Sequence, residues 1–408
     1  MANFFTILYL ILFFFGIFFI LIFLFLHHKN VKRLYDSPPV RRYPSLSILV
    51  PAFNEESSIE DTVIALLKLD YPKEKLEIIL INDDSTDATL DIMKKLERKH
   101  SVIKVLNKKN SGKADSLNKA IQKAKGELLA VVDADSYPSP DSVKKMVGHF
   151  EDAQVAAVTS RVLVKNKSNW LSRFQVLDYS IIAWTRKLLD FVDSVYVTNG
   201  PLSMYRTIVV REIGGFDTKN LTEDIEITWH MLNEGYNTRM SYGAIVYTTV
   251  PESFKIWIKQ RIRWNLGGLQ TIQKYWRTMF KNNAFGYFVV PYVSASFFFA
   301  IVGFLLLIRY FWVKLSYQLV SLYYMFLGYD YWRYIEFNFS ITMLLIFSLL
   351  FFALAISYYK TGFIHSETGN KSILKILAYS FFYRSLYVIP LVLAIYKIVK
   401  GDLRWYTK

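Results

Sequence analysis

The sequence predicts an α/β catalytic domain set between membrane helices. Three observations carry this reading. Between about Ser45 and Val250, short apolar runs alternate with amphipathic stretches, the rhythm of strand-helix units built around a parallel sheet. An uncharged run, Phe4 to Leu26, precedes that middle, and further apolar spans follow it. Hydrophobic residues make up 53% of the 408 residues and aromatics 17%, high for a wholly soluble protein, and the excess sits at the two ends.

The first run is long enough to cross a bilayer at about 1.5 Å per residue. It is too long for the apolar core of a secretory signal, and no small-x-small cleavage site follows it. Lys29, Lys32, Arg33, Arg41 and Arg42 come next. By the positive-inside rule they hold this flank and the following domain in the cytoplasm, with the N-terminus outside. The C-terminal third holds three clear spans, about Phe285–Ile308, Phe337–Tyr359 and Ile376–Ile398, and a short one, about Leu315–Tyr329, that either crosses or lies in the interface. Letting it cross puts the cationic tail (Lys397, Lys400, Arg404, Lys408) inside and gives five helices; four is the alternative. Arg384 falls mid-span, where a charge must line a polar path or pair with a buried carboxylate or carbonyl. The resulting division is an anchor (1–28), a cytoplasmic domain (29–250), amphipathic interface helices (251–283) and a membrane region (284–408).

The net charge of +15 concentrates beside apolar runs and points to a membrane surface or an anionic substrate. No zinc-finger or basic-arm pattern occurs, so nucleic acid is not an expected partner. The absence of cysteine excludes disulfides, thiolate metal sites and a cysteine nucleophile.

In the middle, Leu46–Val50 runs into Pro51 as a buried strand. Ser57–Leu69 is helical, with Glu60 and Asp61 in its first turn. Glu77–Ile81 is a strand that ends in carboxylates, Thr86–His100 a helix, Val102–Leu106 a strand and Ala114–Ala124 a helix. Glu127–Val132 is a fourth strand, again ending in carboxylates. In such sheets ligands bind outside the carboxyl ends of the strands, where the polar clusters lie.

Six clusters follow in order: Pro51-Ala-Phe-Asn-Glu-Glu56, Asn82-Asp-Asp-Ser-Thr-Asp87, Gly112-Lys-Ala-Asp-Ser-Leu-Asn118, Asp133-Ala-Asp135, Thr222-Glu-Asp224 and Gln260-Arg-Ile-Arg-Trp264. Singly each is weak. An Asp-x-Asp after a strand is often a solvated turn, Gly112-Lys113 lacks the upstream glycine of a phosphate loop, and Trp264 alone would read as an interface anchor. In this order, with a membrane helix following, the series resembles the processive family 2 glycosyltransferases: cellulose, chitin, hyaluronan and poly-N-acetylglucosamine synthases. The layout looks closest to the last of these.

The resemblance implies a GT-A fold, a nucleotide-binding mixed sheet, and inverting, metal-dependent transfer of a hexosyl or N-acetylhexosaminyl group from a nucleotide-sugar. A UDP-sugar is the implied donor. Pro51, Phe53, Asn54 and Glu55 match the segment beside the base and ribose, and Asp83 the aspartate that reads the base. Asp84 departs from the glycine usual there. Lys113 matches the lysine near the donor phosphates. Asp133 and Asp135 match the pair that meets the diphosphate and its Mg²⁺ or Mn²⁺. Asp224 matches the general base, Gln260 and Arg263 the diphosphate grip, and Trp264 the acceptor-stacking ring. Gly200, in Thr198-Asn-Gly-Pro201, lies in a loop near the acceptor.

The chemistry accounts for these residue types. A nucleoside diphosphate leaves with negative charge, which a hard divalent cation on carboxylate and phosphate oxygens neutralises. Lys113 and Arg263 add fixed positive charge, Arg in bidentate form. One base suffices, because the diphosphate leaves without a proton. Asp87 reads equally as a helix cap, and Glu223 as a residue that positions its neighbour. The expected acceptor is a growing polysaccharide, with a lipid or lipid-linked acceptor as the alternative; an accessory membrane protein is a possible partner.

Overall fold

The computed structural model describes residues 4–281, 283–328, 339–364 and 372–401. The chain opens with α1 (Phe4–Asn30), then β1 (Leu46–Ala52), α2 (Ile59–Leu67), β2 (Leu76–Asp83), α3 (Thr89–Lys99), β3 (Ile103–Lys108), α4 (Lys113–Lys123) and β4 (Leu128–Val131). Next come β5 (Ser136–Pro138), α5 (Ser142–Val147), β6 (Val155–Val164), α6 (Trp170–Asp190), β7 (Ser203–Arg206), α7 (Thr207–Glu212), α8 (Glu223–Asn233) and β8 (Asn237–Thr248). The strands make one sheet in the order β3-β2-β1-β4-β7-β6-β8-β5.

Its first four strands are parallel and match those expected, with β1 running on through Pro51, which pairs with Ile81. Proline is tolerated there because β4 stops pairing at Leu49, so the missing N–H faces no strand on that side. The second half is mixed: β7 runs antiparallel to both β4 and β6, β6 is parallel to β8, and β5 is antiparallel to β8. Side chains alternate between two cores. Ile48, Val50, Ile78, Leu80 and Ala130 meet α2, α3 and α5 through Val63, Leu66, Met93, Val143 and Met146. On the other face Leu49, Ile79, Ile81, Leu129 and Val131 meet α4, α7 and α8 through Leu117, Ile121, Val209, Ile227 and Met231.

The amphipathic segment forms one helix, α9 (Phe254–Tyr275), whose inner face, Trp257, Arg261, Leu266 and Tyr275 included, is buried in protein. A π-turn (Phe285–Val289) leads into α10 (Val290–Phe326). Its 37 residues span roughly 55 Å at about 1.5 Å each, so residues from Leu315 onward continue that helix rather than start their own crossing. Of the two expected counts the continuous helix favours four, since no break separates the two spans; residue 329 and the cationic residues 404 and 408 lie outside the described residues. After α11 (Phe339–Ile364) comes a last apolar helix assembled from α12 (Ile373–Leu377), a π-turn (Ala378–Tyr383), a 3₁₀ turn (Arg384–Tyr387) and α13 (Val388–Val399). Among the described residues, three helices are long and apolar enough to cross a membrane, Ile7–Arg33, Phe285–Phe326 and Ile373–Val399, with a shorter apolar stretch at Leu349–Ile364.

Where these helices meet the domain, a third core forms. Trp184 of α6, Trp257 of α9, Phe363 of α11 and Tyr379 and Tyr383 of the last helix are all buried in it. Arg384 lies 3.8 Å from the fully buried Asp178 of α6, which resolves its mid-span charge as a pairing with a carboxylate.

Candidate active site

The loops at the carboxyl ends of β1 and β2 are stitched together by side chains. Asn54, in the left-handed region at φ 55°, accepts the Thr86 backbone N–H at 2.9 Å, and its own N–H donates to Ser85 Oγ at 3.0 Å. Glu55 donates its N–H to Thr89 Oγ1 at 2.8 Å, and its carboxylate accepts from Ser58 at 2.9 Å. Asp87 accepts the Thr89 N–H at 3.0 Å and the Glu56 N–H at 3.2 Å, tying the start of α3 to the β1 loop, while the N-cap position itself is Ala88. Pro51 and Phe53 are half-buried on the same strand end. Asp84 keeps a glycine-like backbone, φ 66°, which Asp adopts more readily than most residues.

Asp83 closes the other side. Its carboxylate, 5% exposed, accepts the backbone N–H groups of Ser111 at 3.1 Å and Gly112 at 3.0 Å and also pairs with Lys108. These bonds fix the β3–α4 loop, with Gly112 at φ 90°, and set Lys113 as the first residue of α4.

Lys113 is the centre of the site. Its Nζ lies 2.6 Å from Asp133 Oδ1 and 2.9 Å from Glu223 Oε1. Burial opposes its charge, but Asp133, Glu223 and Asp224 push its pKa well above the usual lysine range. Gly200 backs directly onto this pair: a Cβ there would stand 2.7 Å from Asp133 Oδ2 and 3.0 Å from Lys113 Nζ. The loop bearing Gly200 is tied to α8, with the Thr198 N–H donating to Thr228 Oγ1 at 3.0 Å and Thr228 Oγ1 to the Asp224 carbonyl at 2.6 Å.

At the start of α8 two adjacent carboxyls separate in acidity. For Glu223, burial raises the pKa, but Lys113 and Arg263 overcome this and hold it below the usual carboxylate range. For Asp224, burial and then the Glu223 charge push the pKa up to about 6. Neighbouring carboxyls pushed apart in this way mark one for charge balance and the other for proton transfer.

Helix α9 packs against α8 beside this acidic pair. Arg263 donates to the Leu221 carbonyl at 3.2 Å, next to Thr222-Glu223-Asp224. Gly267 permits this approach, since a Cβ there would meet Thr222 Oγ1 at 2.1 Å. The buried Gln260 Oε1 has no hydrogen-bond partner among the described residues, a polar atom left for a ligand. Trp264 has the Arg261 guanidinium 3.9 Å from its ring centroid. Asp133 and Asp135 follow β4 directly. Among the described residues no group of three or more Asp, Glu, His or Cys forms a metal cluster. Two carboxylates with phosphate oxygens are the usual holding for Mg²⁺, so the pair fits a cation that arrives with a diphosphate.

Of the expected residues, Lys113, Asp133, Asp224, Arg263 and Gly200 are thus brought together, while Pro51 to Glu55 and Asp83 lie in the loops at the ends of β1 and β2. Sequence reasoning undervalued Glu223, the ion partner of Lys113, and missed Gly267, Asp178 and Arg261. The signal for Arg261 was its place inside Gln260-Arg-Ile-Arg-Trp264; for the others there was only a small residue or a lone carboxylate on a helix.

A parallel half-sheet with polar loops, joined to a mixed half that carries an acidic pair, is a GT-A arrangement, and the site is that of a glycosyltransferase. The family model described as Glycosyltransferase like family 2 matches residues 44–267, more than half the chain, and the chain belongs to that family. The chain is 32% identical over 263 residues to the probable glycosyltransferase YdaM of Bacillus subtilis (strain 168), covering 62% of this chain and 61% of that protein. It is 30% identical over 249 residues, 60% of each chain, to the poly-beta-1,6-N-acetyl-D-glucosamine synthase of Staphylococcus aureus (strain COL). The match thus spans about three fifths of the length of these relatives. The solved mannosyltransferase PcManGT from Pyrobaculum calidifontis, in complex with GDP-Man and Mn2+, superposes with a TM-score of 0.60 over 93% of this chain and 95% of that one; at 20% identity the likeness is one of fold.

Proposed function

We propose that the chain transfers a sugar, with inversion, from a UDP-sugar to a growing polysaccharide at the cytoplasmic membrane face. The observation that carries this reading is the meeting of Lys113, Asp133, Glu223, Asp224 and Arg263 in one cleft, with a single carboxyl tuned to about 6. In this reading Pro51, Phe53, Asn54, Glu55 and Asp83 flank the nucleoside. Lys113, Gln260 and Arg263 hold the diphosphate. Asp224 takes the proton from the acceptor hydroxyl as its oxygen bonds to the anomeric carbon and the bond to the diphosphate breaks. Mg²⁺ or Mn²⁺ held by Asp133 and Asp135 would supply Lewis-acid stabilisation of the leaving group. Trp264 and Gly200 place the acceptor. The cationic flank Lys29–Arg42 supports a cytoplasmic domain. The staphylococcal synthase supports a polysaccharide product and makes UDP-N-acetylglucosamine the first donor to test.

The test is nucleotide release by detergent-purified protein from UDP-, GDP- and dTDP-sugars, with and without Mn²⁺ or Mg²⁺, beside Asp135→Ala and Asp224→Asn. Release from a UDP-sugar, metal dependent and lost in both variants, with long product, is the expected result. Single-sugar adducts under every condition would replace the polymerase reading by the lipid-acceptor one. Absence of release from every donor overturns the assignment.

A further inference from the structure

Asp178 lies in the middle of α6, fully buried and 45 and 46 positions before Glu223 and Asp224 of α8. Its carboxylate gathers four groups from two other elements. Arg261 of α9 approaches Oδ2 at 3.3 Å, Tyr379 donates to Oδ1 at 2.9 Å, Tyr387 donates to Oδ2, and Arg384 stands 3.8 Å from Oδ1. The last three belong to the C-terminal apolar helix. Arg261 is 1% exposed, and its Nε and Nη1 have no acceptor. Among the described residues Asp178 accepts a hydrogen bond from this guanidinium, whose central carbon lies 3.9 Å from the Trp264 ring centroid, 5.2 Å from that of Tyr387 and 5.7 Å from that of Trp257. A buried cation so placed needs its counterion to stay folded inward. Arg261 thus backs the ring of the half-buried Trp264, a flat apolar surface of the kind that takes the C–H side of a sugar ring.

We propose that Asp178 is a positioning residue for the acceptor: it locks Arg261 against Trp264 and so ties the acceptor platform to the packing of the C-terminal apolar helix. This rests on the reading of Trp264 as that platform. The β3–α4 loop and Lys113 are held by separate bonds, and Arg263, on the same helix as Arg261, has its own bond to the Leu221 carbonyl, so the larger effect falls on the acceptor.

The experiment uses the full chain in detergent with UDP-N-acetylglucosamine, Mn²⁺ and a β-1,6-linked N-acetylglucosamine tetramer as acceptor, comparing Asp178→Asn, Tyr387→Phe and Trp264→Ala. Asp178→Asn and Tyr387→Phe should raise the acceptor KM by about five- to twentyfold, while donor KM and nucleotide release to water stay within about twofold. Tyr387→Phe leaves no charge bare and keeps the test open if Asp178→Asn does not fold. Acceptor KM unchanged in both, or donor and acceptor constants moving together, would overturn the proposal. An unchanged acceptor KM in Trp264→Ala would sink the platform reading itself; impairment there with the other two unaffected would sink this proposal alone.

Discussion

The two halves of the cleft are held together by different physics. On the side proposed for the donor, the loops after β1, β2 and β3 are pinned by short polar side chains to backbone: Asn54 to Thr86, Asp83 to Ser111 and Gly112, Asp87 to Thr89. On the side proposed for the acceptor, the restraints are buried charges and rings on long helices, joined over separations of 83 to 209 residues around Asp178. Bonds that reach no further than 32 residues keep the proposed donor half within the β1–α4 segment. The acceptor half exists only once α6, α9 and the last apolar helix have assembled. The two meet where Glu223 answers both to Lys113 at the start of α4 and to Arg263 of α9.

The largest expected effect tests that seam. Asp224→Asn should lower kcat by about 10²–10⁴-fold while leaving donor binding intact, because it removes the proton acceptor and little volume. Steady-state turnover beside nucleotide binding checks this; equal loss of both would make Asp224 a structural residue. Lys113→Ala should lower kcat/KM by about 10²-fold, the loss of a charge-assisted contact that also strips Glu223 of its partner. If donor KM stays at the wild-type value, Lys113 does not face the diphosphate.

The pH profile sharpens the comparison. Asp224 has its pKa raised to about 6 by burial and Glu223, so its basic form is lost as pH falls through that value. The free enzyme's kcat/KM should fall about tenfold per pH unit on the acid side of 6 and level off above it. Asp224→Glu, if active, should move the midpoint; a profile flat between pH 5 and about 7 would remove Asp224 as the base. Gly267→Ala comes next. Its methyl would meet Thr222 Oγ1 at 2.1 Å, so α9 must back away from the acidic pair, at a cost of about 1–3 kcal/mol in packing and with a matching loss in kcat. Wild-type kcat in that variant would show that α9 and α8 slide without consequence.

The same contrast explains what could be read in advance. β1 to β4 were legible because four apolar runs with strand length each ended in Pro, Asp or Asn, and their loops carried the donor residues. The mixed half was not. β6 is buried along all ten residues and β7 is only four long, so neither shows the two-residue alternation that marks a strand. Arg384 could be flagged as a misplaced charge but not matched to Asp178, whose partner lies 206 residues away in sequence and is brought near only by helix packing. The short span after Arg309 looked separate because Lys314 and Arg309 interrupt its hydropathy; a charged side chain does not break the backbone ladder, and α10 runs through both positions.

The smallest effect concerns the proposed donor half, at Asp84, where the resemblance leads to the expectation of a glycine. Asp84 sits at φ 66°, a conformation glycine adopts freely and Asp only at some expense. Its exposed side chain and that backbone together imply that the turn, not the carboxylate, is what the position requires. Asp84→Gly should therefore keep kcat and donor KM within about twofold and change stability by less than about 1 kcal/mol, since relief of the left-handed strain offsets the added freedom of the unfolded chain. Asp84→Val, by contrast, forces a β-branched residue into the same turn and should lose donor affinity through displacement of Ser85 from its bond to Asn54. If Asp84→Gly instead raised donor KM tenfold or more, about 1.4 kcal/mol, the carboxylate itself would belong to the donor site, and the donor half would be reading its ligand with a charge as well as with a loop.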